Sequence, residues 1–170
     1  PDDRTAFLEE LPGEVAQRLM QLLTPDNRAV ATTLLGYPED SIGRLMTPEY
    51  VAVRPHFTVE ETLAHIRQYG HDSETLNVIY VVDDKWQLLD GLRIREVILA
   101  SPEQRISDLM DYKYDSLNAF DDQEAAVTAF KKYDRVVLPV VDTKGILLGI
   151  VTVDDILDIA EEEGTEDFQR

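Results

Sequence analysis

Cysteine is absent from this 170-residue chain, which removes disulfides, zinc–thiolate sites and thiol catalysis. Basic residues are scarce: 16 Lys and Arg stand against 34 Asp and Glu, giving a net charge of −18 and a pI near 4.3. Phosphate backbones and anionic lipid would be repelled, so nucleic acid is excluded as a partner and cations or basic surfaces are favoured. No apolar run approaches the ~18 residues of a membrane-spanning helix, and the N-terminus lacks the charged and apolar regions of a signal peptide. These absences, with that of cysteine, point to a cytosolic setting. The sequence has no G-x-S-x-G and no P-loop, and His56, His65 and His71 have no metal-motif spacing, so an enzyme is not expected. A chain that opens on Pro1 rather than Met is expected to be a piece of something longer.

What is present is a repeat. "IGRLM" (Ile42–Met46) returns as "ISDLM" (Ile106–Met110), and "TVEETLAHI" (Thr58–Ile66) as "DQEAAVTAF" (Asp122–Phe130), both 64 residues on. "YVVDDKWQLLDGLRIREVI" (Tyr80–Ile98) matches "PVVDTKGILLGIVTVDDIL" (Pro139–Leu157) 59 residues on, so the first copy carries about five extra residues near "YGHDSET". Each copy reads as a short apolar strand and then a helix with apolar residues at i, i+4 and i+7 (Val59, Leu63, Ile66). A β-branched strand, a tight turn opened by Asp83 or Asp142, and a second strand running into a helix follow. The expected fold class is therefore α/β (α+β), two β-α-β-β-α units sharing one core. Residues 1–43 read instead as three helical stretches set off by Pro12-Gly13 and Thr24-Pro25-Asp26, a small all-helical segment joined through "GYPED" (Gly36–Asp40).

Charge is uneven. Residues 106–170 hold 16 acids and 6 bases, against 10 and 7 in residues 44–105. Eight carboxylates fall within residues 154–167, with no Lys or Arg among them. On a helix, Asp155, Asp158 and Glu162 share a face, and like charges at that spacing repel by ~0.2–0.5 kcal/mol per pair. The helix dipole favours Asp154 and Asp155 at the start and disfavours Glu161, Glu162 and Glu163 toward the end. Either water solvates the stretch or a cation sits there. Mg²⁺ takes oxygen ligands and keeps several waters, so sparse carboxylates suit it. No EF-hand pattern is present, which argues against Ca²⁺ by that route.

The units resemble a tandem CBS-domain pair, on the "LM" after a short helix, the "LPVVD" strand, the small turn and "GIVTVDDIL". With "YPEDSIGRLMTPEYV" before them and "TVDDILDIAEEEGTEDF" after them, the chain resembles the cytosolic part of MgtE-type magnesium channels. The resemblance implies a division into residues 1–40 (the end of a helical N-domain), 41–103 and 104–160 (CBS repeats) and 161–170 (the acidic start of a connector to a membrane domain). It implies Mg²⁺ bound at Asp3, Asp122, Glu124, Asp134, Asp155, Asp158, Glu163, Glu166 and Asp167. In that scheme Asp155 bridges to Asp3 of the helical piece. Asp122, Glu124, Asp134 and Asp158 gather ions in the second repeat and near a dimer interface, and Glu163, Glu166 and Asp167 face the connector. The implied function is Mg²⁺ sensing at the cytoplasmic side of the cell membrane: the ion stabilises a closed homodimer, joined through the CBS domains, and shuts the pore of the protein's own transmembrane domain. The alternative is an adenine-nucleotide module binding ATP in the cleft between repeats. For this, CBS pairs use Thr or Ser followed three residues later by Asp, here Thr152 and Asp155, with Arg93 and Glu96 at the matching positions of the first repeat. Glu96 would hold ribose, and Arg95 or Lys132 phosphate.

Overall fold

The computed structural model describes residues 35–159 and Arg18. The helical stretches expected within residues 1–34 therefore lie outside the described residues, Arg18 excepted.

The two repeats form two three-stranded sheets of identical plan, β1-β2-β3 and β4-β5-β6. In the first, β1 (Ala52–Val53) runs parallel to β2 (Val78–Val82), and β2 is antiparallel to β3 (Leu88–Arg93). In the second, β4 (Leu117–Asn118), β5 (Val137–Val141) and β6 (Leu147–Thr152) repeat this pairing. Even the register slip recurs, between Val81 and Val82 and between Val140 and Val141. The fold is thus the mixed α/β pair that the internal repeat predicts.

Helix α1 (Val59–Tyr69) starts at a capping box: Thr58 Oγ1 accepts from the Glu61 amide at 3.0 Å, and Glu61 Oε1 accepts from the Thr58 amide at 3.1 Å. These bonds hold the Glu61 carboxyl below its ordinary range. Short helices α2 (Ile94–Leu99) and α3 (Ile106–Leu109) follow. Helix α4 (Gln123–Tyr133) is capped by Asp122, whose carboxylate accepts from the Glu124 amide at 2.9 Å, and ends at Asp134 in the left-handed region (φ 50°, ψ 50°). Helix α5 begins at residue 153 and is described to 159. The five extra residues of the first repeat form a 3₁₀ turn (Gly70–Asp72) and a loop ahead of β2.

The tight turns are built as the sequence suggests. Asp83 Oδ1 accepts from the amides of Lys85 and Gln87, both at 2.9 Å, and Asp142 Oδ1 from those of Lys144 (2.8 Å) and Ile146 (3.0 Å). Matching turn residues take positive φ: Gly145 at 86° and Trp86 at 68°. A side chain there is strained, and Trp86 is tied down, its indole N–H donating to the Tyr50 hydroxyl at 2.8 Å with the Arg54 guanidinium 4.8 Å from its ring centre. The two turns also pair with each other: Leu88 N–H donates to the Gly145 carbonyl, and Leu147 N–H to the Trp86 carbonyl.

The cores are exchanged at their entrances. The 3₁₀ turn Ile42–Arg44 precedes the first sheet, yet Ile42 and Met46 pack with Leu117, Val140 and Ile156 of the second. Ile106 precedes the second sheet and packs with Val53, Ile79 and Val97 of the first. Both isoleucines are fully buried. A third cluster, with Tyr80, Leu88, Val137 and Leu147, joins the sheets.

Candidate functional site

A cleft opens where the two sheets meet. Its outer part, about 390 Å³, is lined by residues around the start of β2 (Asn77, Val78), the end of β3 (Arg93–Arg95) and the α4–β5 connection (Asp134–Val137). A narrower inner part of about 60 Å³ adds Tyr80, Gly91, Lys113, Tyr114, Asp115 and Pro139. Four cationic side chains (Arg93, Arg95, Lys113, Arg135) thus converge, against two acids (Asp115, Asp134), in a chain of net charge −18. Arg135 Nη2 lies 3.8 Å from Asp115 Oδ2, a half-exposed pair that orients the guanidinium at little net stability. Guanidinium groups with free donors suit phosphate or carboxylate oxygens.

The floor holds a second signal. Tyr80 is 2% exposed, and its hydroxyl has no hydrogen-bond partner among the described residues. Burial pushes its pKa up, so the group stays a neutral donor. An unpaired buried hydroxyl costs ~1–3 kcal/mol unless a partner arrives.

The predicted nucleotide residues divide. Arg95 lines the outer cleft. Glu96 is exposed on α2 and is not among its lining residues. Thr152 is buried at the end of β6, and its Oγ1 donates to Asp155 Oδ2 at 3.2 Å. Register explains the asymmetry: Val137 pairs with Thr152 where Val78 pairs with Arg93, so the first repeat places a guanidinium where the second places a hydroxyl. Lys132 sets its Nζ 5.2 Å over the Tyr133 ring. The sequence reading missed Lys113, Tyr114, Asp115 and Arg135 as wall residues. The paired-repeat register could have flagged Arg135, which stands two residues before Val137.

The predicted Mg²⁺ ligands Asp3, Glu163, Glu166 and Asp167 lie outside the described residues. Asp122, Glu124, Asp134 and Asp158 are exposed and Asp155 is half-buried. Asp134 shares the outer cleft with Arg95, Asp122 and Glu124 sit at the start of α4, and Asp155 and Asp158 share a face of α5. Among the described residues none of the five forms an ion pair, and no three acidic or histidine side chains gather into a group that could hold a metal ion.

Comparison with known proteins places this geometry. A model of the MgtE intracellular N domain matches residues 1–40, and a CBS-domain model matches residues 42–103 and 106–162. The magnesium transporter MgtE of Thermus thermophilus is 48% identical over 91% of this chain and 34% of its own length, and that of Bacillus subtilis is 35% identical over 99% and 38%. The chain thus spans about a third of the length of these curated relatives. A crystal structure of the cytosolic domain of the Mg²⁺ channel MgtE in complex with ATP superposes with a TM-score of 0.73 at 43% identity, over 94% of this chain and 71% of that one. The cystathionine beta-synthase pair domain of a Shewanella oneidensis protein matches in fold alone, with a TM-score of 0.72 at 21% identity over 96% of this chain and 94% of that one.

Proposed function

The chain belongs to the CBS-domain family, carrying two CBS units behind an MgtE intracellular N domain, and from that premise we propose that it is the cytosolic Mg²⁺-sensing part of a magnesium channel. The observation that carries this reading is the set of carboxylates on α4, its caps and α5 that no cationic side chain neutralises: Asp122, Glu124, Asp134, Asp155 and Asp158 make no ion pair among the described residues, although Asp122 caps α4 and Asp155 accepts from the Thr152 hydroxyl. Similarity to the MgtE transporters supplies the ion.

The ligand sets are shared between units. Asp155 meets Asp3 of the helical segment; Asp122, Glu124, Asp134 and Asp158 face a second copy of the chain; and Glu163, Glu166 and Asp167 face the connector to a membrane domain. When Mg²⁺ is scarce, like charges repel and the units separate. When it is plentiful, each ion bridges acids from two units and stabilises the closed homodimer by mass action, which shuts the pore. Few ligands and much retained water set the affinity on the order of millimolar. The dimer has apolar material to use, since Ile98 and Leu99 on α2 and Leu157 on α5 are 59%, 73% and 58% exposed.

Small-angle X-ray scattering of the chain, titrated with MgCl₂ against NaCl of equal ionic strength, tests this. Compaction is expected with MgCl₂ alone and is blunted in Asp155→Ala. Equal responses to both salts would reduce the acids to a solvated face.

A second reading, adenine-nucleotide binding, is favoured by the basic cleft with its unpaired Tyr80 hydroxyl. The similar MgtE cytosolic domain was crystallised with ATP. Phosphates would meet Arg93, Arg95 and Arg135, and the two readings are compatible because the cleft and most of the unpaired acids lie on different elements. Calorimetric titration with ATP is expected to show binding that Arg93→Ala weakens about tenfold, the loss of one charge-assisted contact.

A further inference from the structure

Asp90 is an acidic residue in the middle of β3, only 1% exposed. Its Oδ1 accepts from the Gly91 amide at 2.8 Å. Its Oδ2 accepts from the amides of Asp111 and Tyr112 at 3.0 and 3.1 Å. Asp111 and Tyr112 belong to the linker between the repeats, just before three wall residues of the inner cleft, Lys113, Tyr114 and Asp115. Tyr112 adopts φ 60°, and the Tyr114 hydroxyl donates to the Leu88 carbonyl at 3.0 Å.

The matching place in the second sheet is built the other way. Gly149 stands where Asp90 stands, and Thr47 where Asp111 stands. There the linker lies directly on β6: Thr47 and Ile150 exchange backbone hydrogen bonds, both 2.9 Å. A Cβ on Gly149 would sit 2.8 Å from the Thr47 carbonyl, so only glycine permits that approach. In the first sheet the Gly91 amide, which the Ile150 pattern would give to the linker, is taken by the Asp90 carboxylate. The side chain stands between strand and linker and binds both.

We infer that Asp90 is a positioning residue of the inter-repeat cleft: its carboxylate holds residues 111–115 off β3 as a separate wall, which sets Lys113, Tyr114 and Asp115 around a nucleoside phosphate. The position of the wall rests on geometry alone; the ligand rests on the nucleotide reading above. A direct strand-to-linker bridge, as in the second sheet, would lay that segment on β3 where the inner cleft now is. A backbone-bonded buried carboxylate is the means of keeping it off, because its two oxygens serve donors on opposite sides.

Asp90→Asn keeps the shape and turns one oxygen into a donor that faces other donors. In amide hydrogen exchange, Asp111 and Tyr112 are expected to exchange at least about tenfold faster in this variant, while Ile79 and Val81 of β2 keep their rates. Calorimetry with ATP is expected to show at least about tenfold weaker binding. Tyr114→Phe, which removes the other tie from an exposed position, gives a second reading should Asp90→Asn fail to fold; it is expected to weaken ATP binding severalfold and to speed exchange at Lys113. Unchanged exchange at Asp111 and Tyr112 overturns the inference whatever ATP does, and for Tyr114→Phe unchanged exchange at Lys113 does the same. Faster exchange with undiminished ATP affinity overturns its ligand half. A wild-type chain that binds no ATP overturns the nucleotide reading and that half with it, and exchange in Asp90→Asn still decides whether Asp90 holds the wall.

Discussion

The two CBS repeats share strand order, register and even the position of the register slip, yet they differ at several matching positions around the strand ends and turns. The first has Arg93, Glu96, Trp86 and Asp90 where the second has Thr152, Asp155, Gly145 and Gly149. The first repeat contributes five residues of the outer cleft, Asn77, Val78 and Arg93–Arg95, and the second carries the larger acid excess. The lesson is that the shared core specifies the pair, while single substitutions at matching positions give the two repeats different charge and different local geometry. Packing constrains the inside of each strand to β-branched and aliphatic residues, whereas the turns need only the opening Asp and a residue that accepts positive φ.

The comparison can be broken hardest at Gly149. Gly149→Asp, which copies the first repeat into the second, drives a Cβ to 2.8 Å from Thr47 O and buries a carboxylate without the donors that Asp90 enjoys. Chemical denaturation is expected to show a loss of at least about 4 kcal/mol. Ile106→Ala comes next, at about 3 kcal/mol. Its informative outcome is location: because Ile106 packs in the first core, amide exchange should quicken in β2 more than in β5, although residue 106 precedes the second sheet.

Tyr80→Phe sharpens the contrast between the buried hydroxyl of the first repeat and Pro139 opposite it in the second. Removing an unpaired buried group is expected to raise stability by about 1 kcal/mol without ligand and to weaken ATP binding in the same preparation. The smallest effect concerns His65, whose place in the second repeat is taken by Ala129. Burial lowers its pKa from 6.5. The unfolded chain therefore binds a proton that the folded one refuses, so stability falls as pH drops below about 6.5 toward the folded value. In His65→Gln the urea midpoint should change less between pH 7.5 and 5.5 than in the parent chain.

Much of this was legible because it is local. The Asp83 and Asp142 turns and the β-α-β-β-α order depend on residues within a few positions of one another, and the sequence reading missed the Thr58–Glu61 cap, which is equally local. The exchange of Ile42 and Ile106 was not legible, since each motif reads the same whichever core receives it; only tertiary packing decides. Asp90 was hidden for a related reason. In "LLDGLR" it falls at a buried position of the strand, between Leu88 and Leu92, with no partner for its charge nearby in sequence, and the amides of Asp111 and Tyr112 that it binds lie 21 and 22 residues away on a linker with no regular structure. Among the acids, the sequence located the charge, while the structure shows that Asp122 and Asp155 are already engaged, as a helix cap and with Thr152.

The exchanged isoleucines make the repeat boundary a poor place to divide the molecule. Severed in the exposed stretch at residues 101–103, the chain would yield one half with an empty socket where Ile106 sat and another lacking the plug that Ile42 supplies. Each half would be an incomplete lock holding its neighbour's key. Mixed together, they should restore one another, and a half prepared alone should stay soluble less well than the pair.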